Sequence, residues 1–133
     1  MHNYKELKVW QKSRILVKEV YVALSSFPAD EKYGIISQIK RAAISIPTNI
    51  SEGCGRNTVA DLSRFLDISY SSAFELENLL ILSCDLSLLS PEKFGWLSGM
   101  VREVQKMIFG LKNKISSSIL AEPEVEYLNS LDT

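Results

Sequence analysis

A chain of 133 residues, 46% hydrophobic and 23% charged, has the size and balance of one domain around a single buried core. Fifteen Lys and Arg against sixteen Asp and Glu give a formal net charge of −1, which excludes a uniformly basic or acidic molecule. One histidine and two cysteines are too few for most histidine-dependent catalysis, a disulfide scaffold or a zinc cluster, so Cys54 and Cys84 read as small, reduced side chains.

The first helix is predicted to start at Asn3, which with Glu6 forms a capping pair, and to run to about Ser26. Its inward face is Leu7, Trp10, Val17, Tyr21 and Leu24, widened by Val9, Leu16 and Val20. At 100° per residue, Lys5, Lys8 and Lys12 fall within a sector of roughly 60° on another face. Arg14 and Lys18 add to this basic stripe. Pro28 stops the helix, and Asp30 can cap the next one.

In the second helix Ile36, Ile39, Ala43, Ile46, Ile50 and Gly53 alternate steps of three and four, so they line one side as a seam. Small Ala43 and Gly53 allow a neighbour to come close. Pro47 stands inside this helix, where it removes a backbone hydrogen bond, crowds the Ala43 carbonyl and costs roughly 3 kcal/mol. Something must offset that. Asn49, Glu52 and Arg56 supply polar groups in the following turns. Gly53-Cys54-Gly55 is expected to end the helix through a glycine at positive φ.

Thr58 and Asp61 read as the capping pair of a third helix, from about Val59 to Leu86. Its seam is Leu62, Phe65, Ser69, Ser72, Leu76, Leu79, Ser83 and Leu86, and the serines predict close helix approach against Pro47. Leu66, Ala73 and Leu80 widen the apolar surface, and so do Phe74 and Ile81. Ser90-Pro91-Glu92 starts a fourth helix, with a cap, a proline at the first position and an acid near the positive dipole end. Phe94, Leu97, Val101, Val104, Ile108, Leu111 and Ile115 keep the heptad spacing. Trp96, Met100 and Met107 form a second apolar line, while Arg102 and Lys106 face away from the seam. Fraying is expected at Ser116-Ser117-Ser118, and Pro123 marks an irregular tail.

These elements predict an all-α, antiparallel up-down-up-down four-helix bundle over residues 1–119. Trp96, Met100, Met107, Phe74 and Ile81 exceed what a lone bundle hides and predict a homo-oligomer interface. Residues 120–133 form an acidic tail with Glu122, Glu124, Glu126, Asp132 and no Lys or Arg. Without those four acids, twelve acidic residues face fifteen basic ones, leaving +3 on residues 1–119. The opening residues MHNYKELKVWQK lack the apolar core of a signal peptide, and no apolar run approaches the roughly 20 residues that span a bilayer. The expectation is a cytoplasmic protein without membrane contact.

The pattern Phe27-Pro28, Glu31, Tyr33-Gly34, Ser37-Gln38-Ile39-Lys40-Arg41-Ala42-Ala43, Ser45-Ile46-Pro47, Asn49-Ile50 and Glu52-Gly53 resembles the 23S ribosomal RNA intervening-sequence protein family. Tyr4-Lys5, Leu7 and Val9-Trp10-Gln11-Lys12 upstream are similar to the same family, as are Phe65-Leu66, Ile68, Ser72 and Glu75-Leu76-Glu77 downstream. The resemblance covers about residues 4–115 and implies a small four-helix bundle whose role is largely unassigned. A related branch, the accessory variability proteins of diversity-generating retroelements, implies barrel-shaped pentamers that bind nucleic acid and a reverse transcriptase. That branch is strongly basic, unlike this chain. The resemblance also implies structural roles for Pro47, Asn49, Glu52, Gly53, Glu75 and Glu77, with one of the last two paired to Arg41 or Arg56.

No catalytic constellation emerges. A di-metal bundle site needs Glu-x-x-His pairs, but Glu75 is followed by Asn78 and no predicted helix contains histidine, so no metal or cofactor is expected. Glu75 and Glu77 are two apart and point to different sides. Ser69, Ser71 and Ser72 lack a base, and Gly53 and Gly55 lack the Gly-Lys-Ser/Thr of a phosphate loop. The expectation is a non-enzymatic protein.

Nucleic-acid binding has the candidates Lys5, Lys8, Lys12, Arg14, Lys18, Lys40, Arg41, Arg56 and Arg64, which ring symmetry would multiply into a phosphate-binding belt. No base-reading motif accompanies them, so binding to RNA or DNA would be weakly sequence-specific. Near-neutral charge leaves a second reading open: a scaffold for a protein partner such as a reverse transcriptase or an RNA-processing factor. Glu122, Glu124 and Glu126 could fold back on the basic stripe and compete with phosphate, beside the plainer reading of a solubilising tail.

Overall fold

The computed structural model of the chain describes residues 3–118. The acidic tail, and its suggested return to the basic stripe, lie outside them. Among the described residues there are four α-helices and no strands: α1 Lys8–Leu24, α2 Ile35–Cys54, α3 Val59–Asp85 and α4 Pro91–Ser118. Three-residue 3-10 turns, Tyr4–Glu6 and Ala29–Glu31, precede α1 and α2. Each helix packs against two neighbours, in the cyclic order α1, α2, α3, α4. Leu16, Ile39, Ile46, Leu66, Leu76, Leu97, Ile108 and Ile115 fill the space between them and are closed to solvent. No helix among the described residues is long and apolar enough to cross a membrane.

The entry to α1 differs from expectation. Asn3 Oδ1 accepts from the Lys5 amide at 3.1 Å, but it caps only the 3-10 turn, and the chain becomes extended at Leu7 before α1 begins. Leu7 and Val9 are both buried. Two residues apart, they would point about 160° away from each other on one helix, and the extended residue lets both turn inward. Gln11 Nε2 donates to the Lys5 carbonyl at 2.9 Å and ties the turn to the helix. The buried line of α1 is Val9, Ser13, Leu16, Val20, Ala23 and Leu24. Trp10 and Val17 are only half-buried, and Tyr21 is 37% exposed. The residues taken as widening the face are therefore its core.

Asp30 does not cap α2. It lies in the second 3-10 turn, and α2 starts behind Gly34 with no side-chain cap. The α2 seam is buried throughout, from Ile36 to Gly53. Gly53 acts by its lack of a side chain rather than by its backbone freedom, since the helix continues through it and ends at Gly55 with φ −87°. A Cβ on Gly53 would stand 2.9 Å from Leu62 Cδ1 and 3.0 Å from Phe65 Cβ. The residue is glycine because α3 passes there.

Pro47 is placed inside α2, and added bonds on the groups next to it, rather than on the Ala43 carbonyl it orphans, work against its cost. Ser69 Oγ donates to the Ile46 carbonyl at 2.9 Å from α3. Asn49 Nδ2 donates to the Ser45 carbonyl at 2.8 Å and to Ser45 Oγ at 2.9 Å, and that hydroxyl meets Ser72 Oγ at 2.6 Å. At about 1 kcal/mol net each, these four bonds match the order of the proline's cost. Ser69 and Ser72 thus serve the close approach predicted for the seam, at Ile46 and Ser45 beside Pro47, while Ser83 bonds back to Leu79 in its own helix.

Thr58 Oγ1 caps α3 by accepting from the Asp61 amide at 3.1 Å, and Ser90 Oγ caps α4 by accepting from the Lys93 amide at 3.1 Å. The end of α3 carries no glycine. Ser87 takes φ 61°, the one positive φ among the described residues, while the Leu88 amide bonds the Ser83 carbonyl and the Ser87 amide bonds that of Cys84. This is the left-handed helix stop that glycine usually makes. Leu86 is exposed and leaves the predicted seam. On α4, Leu97, Val101, Val104, Ile108, Leu111 and Ile115 are buried, and the helix runs through the serines where fraying was expected. Gln105 is buried too, donating to Glu77 Oε1 at 3.3 Å and to the Ala73 carbonyl at 3.5 Å.

Replacing Gly53 by Val should lower stability by about 1–3 kcal/mol through overpacking. Gly99→Ala, where an added Cβ meets nothing within 4 Å, should raise it by up to about 1 kcal/mol through helix propensity. Urea melts of the two variants would check the opposite signs. Ile108→Asp buries a charge at a fully enclosed position and should abolish the cooperative thermal transition followed by circular dichroism.

Candidate nucleic-acid interface

The nine basic candidates do not form one surface. Lys5 lies in the 3-10 turn and not on α1, so the sector drawn through Lys5, Lys8 and Lys12 breaks at Leu7. Lys12 faces α4, where its Nζ stands 3.5 Å from Glu103 Oε2. Arg14, two residues on, points about 160° away and faces α2 instead. Its guanidinium lies 5.5 Å from the centre of the Trp10 ring. Lys40 on α2 completes this side, with its ammonium 5.0 Å from the Tyr21 ring centre. Arg41 and Lys18 are exposed.

Arg56 and Arg64 occupy a different corner, where α2 passes into α3. Both pair with Asp61, at 3.4 and 3.6 Å, and both cover Phe65, at 5.3 and 4.6 Å from its centre. They share the single charge of Asp61, which matches half of theirs, and their stems shield an aromatic ring. The suggested pairing of Glu75 or Glu77 with Arg41 or Arg56 is not what forms. Arg56 takes Asp61, Glu77 takes Gln105, and Glu75 is exposed on α3. Of the other signature residues, Gly53 makes the α2–α3 contact, Asn49 bonds Ser45 within α2, Pro47 lies on the side of α2 towards α1, and Glu52 is exposed.

A groove of about 360 Å³ runs between α1 and α2, lined by Tyr4, Trp10, Arg14, Val17, Ile44, Pro47, Thr48 and Ser51. Among the described residues, Lys5, Arg14, Lys18, Lys40 and Arg41 have no carboxylate within ion-pair reach. Arg14, Lys40 and Arg41 therefore keep their charge available on the α1–α2 side, beside two partly exposed aromatic rings. Arg14 is one turn from Trp10 and was legible as its partner. Lys40 meets Tyr21 only through the packing of α1 on α2.

The apolar candidates divide as well. Trp96 is 48% exposed, while Met100 and Met107 are half-buried against the core. With Gly95 and Gly99 they line a shallow depression of about 590 Å³ on α4. Phe74 and Ile81 are exposed on α3. Tyr70 stacks edge-on to Phe74 at 5.0 Å and lies 5.9 Å from Phe109 of α4, also exposed. Lys112, paired with Asp67, covers Tyr70. Ile15, Val22 and Phe109 are exposed apolar residues missed in sequence, although Ile15 and Val22 lie off the predicted α1 face. No group of three His, Cys, Asp or Glu side chains among the described residues is placed to hold a metal ion.

A crystal structure of a protein of unknown function from the S23 ribosomal protein family of Bacteroides thetaiotaomicron VPI-5482 superposes with a TM-score of 0.71. The match covers 78% of this chain and 97% of that one at 23% identity, a likeness of fold. No curated protein matches. Residues 5–110 match the model of the 23S rRNA-intervening sequence protein, a span that takes in α1, α2, α3 and most of α4, and the chain belongs to that family.

Proposed function

We propose that the protein is a non-enzymatic, oligomeric bundle that holds RNA or DNA by its phosphates on the α1–α2 side. The observation that carries this reading is the unmatched charge of Arg14, Lys40 and Arg41 beside Trp10 and Tyr21. Cations next to exposed aromatic rings suit a flexible strand, because phosphates meet the charges and bases can stack on the rings. No base-reading motif accompanies these residues, so in this reading affinity follows charge and shape. Contacts that step in opposite senses along α2 and α3, Gly53 with Leu62, Ile46 with Ser69 and Ser45 with Ser72, are those of an antiparallel pair, which an up-down-up-down arrangement requires. Assembly into a ring would repeat the cationic side around an axis and raise the number of phosphates held at once.

A scaffold for another protein is the second reading, favoured by Trp96 and Phe109, each about half exposed on α4. Salt separates the two. If three phosphates are neutralised per copy, affinity for a single-stranded RNA should fall roughly 20-fold between about 50 and about 200 mM salt. Arg14→Gln with Lys40→Gln should flatten the salt slope by about two. Absence of RNA binding at the lower salt would sink the phosphate reading and leave the scaffold.

A further inference from the structure

Two outward stripes remain after the bundle is packed. On α1, Ile15 and Val22 are 50% and 53% exposed. Seven residues apart, they stand about 10.5 Å from each other on one side of the helix, with Lys18 between them. On α3, Phe74 and Ile81 are 48% and 42% exposed at the same spacing, with Glu77 between them. Each stripe is thus two apolar knobs separated by one charge, in the same i, i+3, i+7 layout. The charges have opposite sign.

We propose that these stripes bind each other between copies, α1 of one chain lying on α3 of the next. This deepens the oligomeric reading above and names its contact. Because the charge sits between the knobs, Lys18 meets Glu77 whichever way the helices run. Like-with-like contact is disfavoured, since α1 on α1 would set Lys18 against Lys18 and α3 on α3 would set Glu77 against Glu77. Both partners are available. Among the described residues Lys18 has no ion pair, and Glu77 makes only the 3.3 Å bond from Gln105.

The contact is heterologous, using different surfaces on the two chains, so each bound copy leaves one stripe open for another. Both stripes lean towards the α4 side. Phe74 contacts Tyr70, which reaches Phe109 of α4, and Lys12, one turn before Ile15, reaches Glu103 of α4. Successive copies are then turned relative to one another, and a heterologous contact gives a ring where that rotation closes and an open filament where it does not. Lys18 belongs to this contact and not to the phosphate-binding set.

Sedimentation velocity of the full chain tests this with two variants at exposed positions, Ile15→Asp/Val22→Asp and Phe74→Asp/Ile81→Asp. Each alone should sediment as a single chain, with association at least tenfold weaker than wild type. An equimolar mixture should sediment as two chains, because each variant keeps the stripe the other lacks. A mixture that stays single, or either variant keeping the wild-type size, would overturn the contact. Should a variant fail to fold by circular dichroism, Lys18→Glu should weaken assembly and Lys18→Glu with Glu77→Lys restore it, and failure of that rescue would also overturn it. A wild-type chain that is monomeric at high concentration removes the oligomeric reading itself, whereas an intact oligomer in every variant removes only this interface.

Discussion

Close contact between α2 and α3 is the constraint on which the bundle rests. A proline inside α2 leaves one carbonyl without its helical donor and would cost an isolated helix dearly. Here the same stretch is met by hydroxyls and an amide: Ser69 on the Ile46 carbonyl, and Asn49 with Ser72 around Ser45. The Ser69 and Ser72 bonds form only if the two backbones come near, and Gly53 makes room one and a half turns further on. The small residues of α3, unhelpful as hydrophobic ballast, are what a proline-bearing neighbour requires. Polar groups that would destabilise a core when unpaired become specific anchors when every one finds a partner.

Charge follows a similar division between matched and unmatched groups. Asp61 gathers Arg56 and Arg64, Glu103 takes Lys12, and Asp67 takes Lys112. These exposed pairs contribute little to stability, but they determine where positive charge is available to a partner. With them paired, the described cations without a carboxylate lie on two sides, Arg14, Lys18, Lys40 and Arg41 on α1 and α2, and Lys93, Arg102 and Lys106 on α4. Formal charge near zero therefore does not describe how the molecule presents itself to an anion.

Much of the architecture was legible because it depends on local pattern. The α2 and α4 seams, the caps at Thr58 and Ser90 and the close approach at Gly53 all follow from spacing within one element. The entry to α1 was not legible, because Leu7 and Val9 turn inward only when the other helices offer a core to fill. Ser87 adopts a left-handed backbone without the glycine that would announce it. The candidate interface suffered most, since a basic residue's availability depends on whether an acid on another helix reaches it. Lys12 and Arg14 look equivalent in sequence, yet Glu103 claims one and not the other.

The spacing of the helix contacts along the chain has a bearing on how the bundle comes together. Gly53 meets Leu62 across nine residues, whereas Lys12 meets Glu103 across ninety-one. Loop-closure entropy grows as (3/2)RT ln n, so the second encounter costs about 2 kcal/mol more chain freedom than the first. The hairpin of α2 and α3 thus holds both the most demanding chemistry and the shortest search. The serines reach Ile46 and Ser45, beside the proline, across 23 and 27 residues, also at a lower entropic cost than the meeting of α1 with α4.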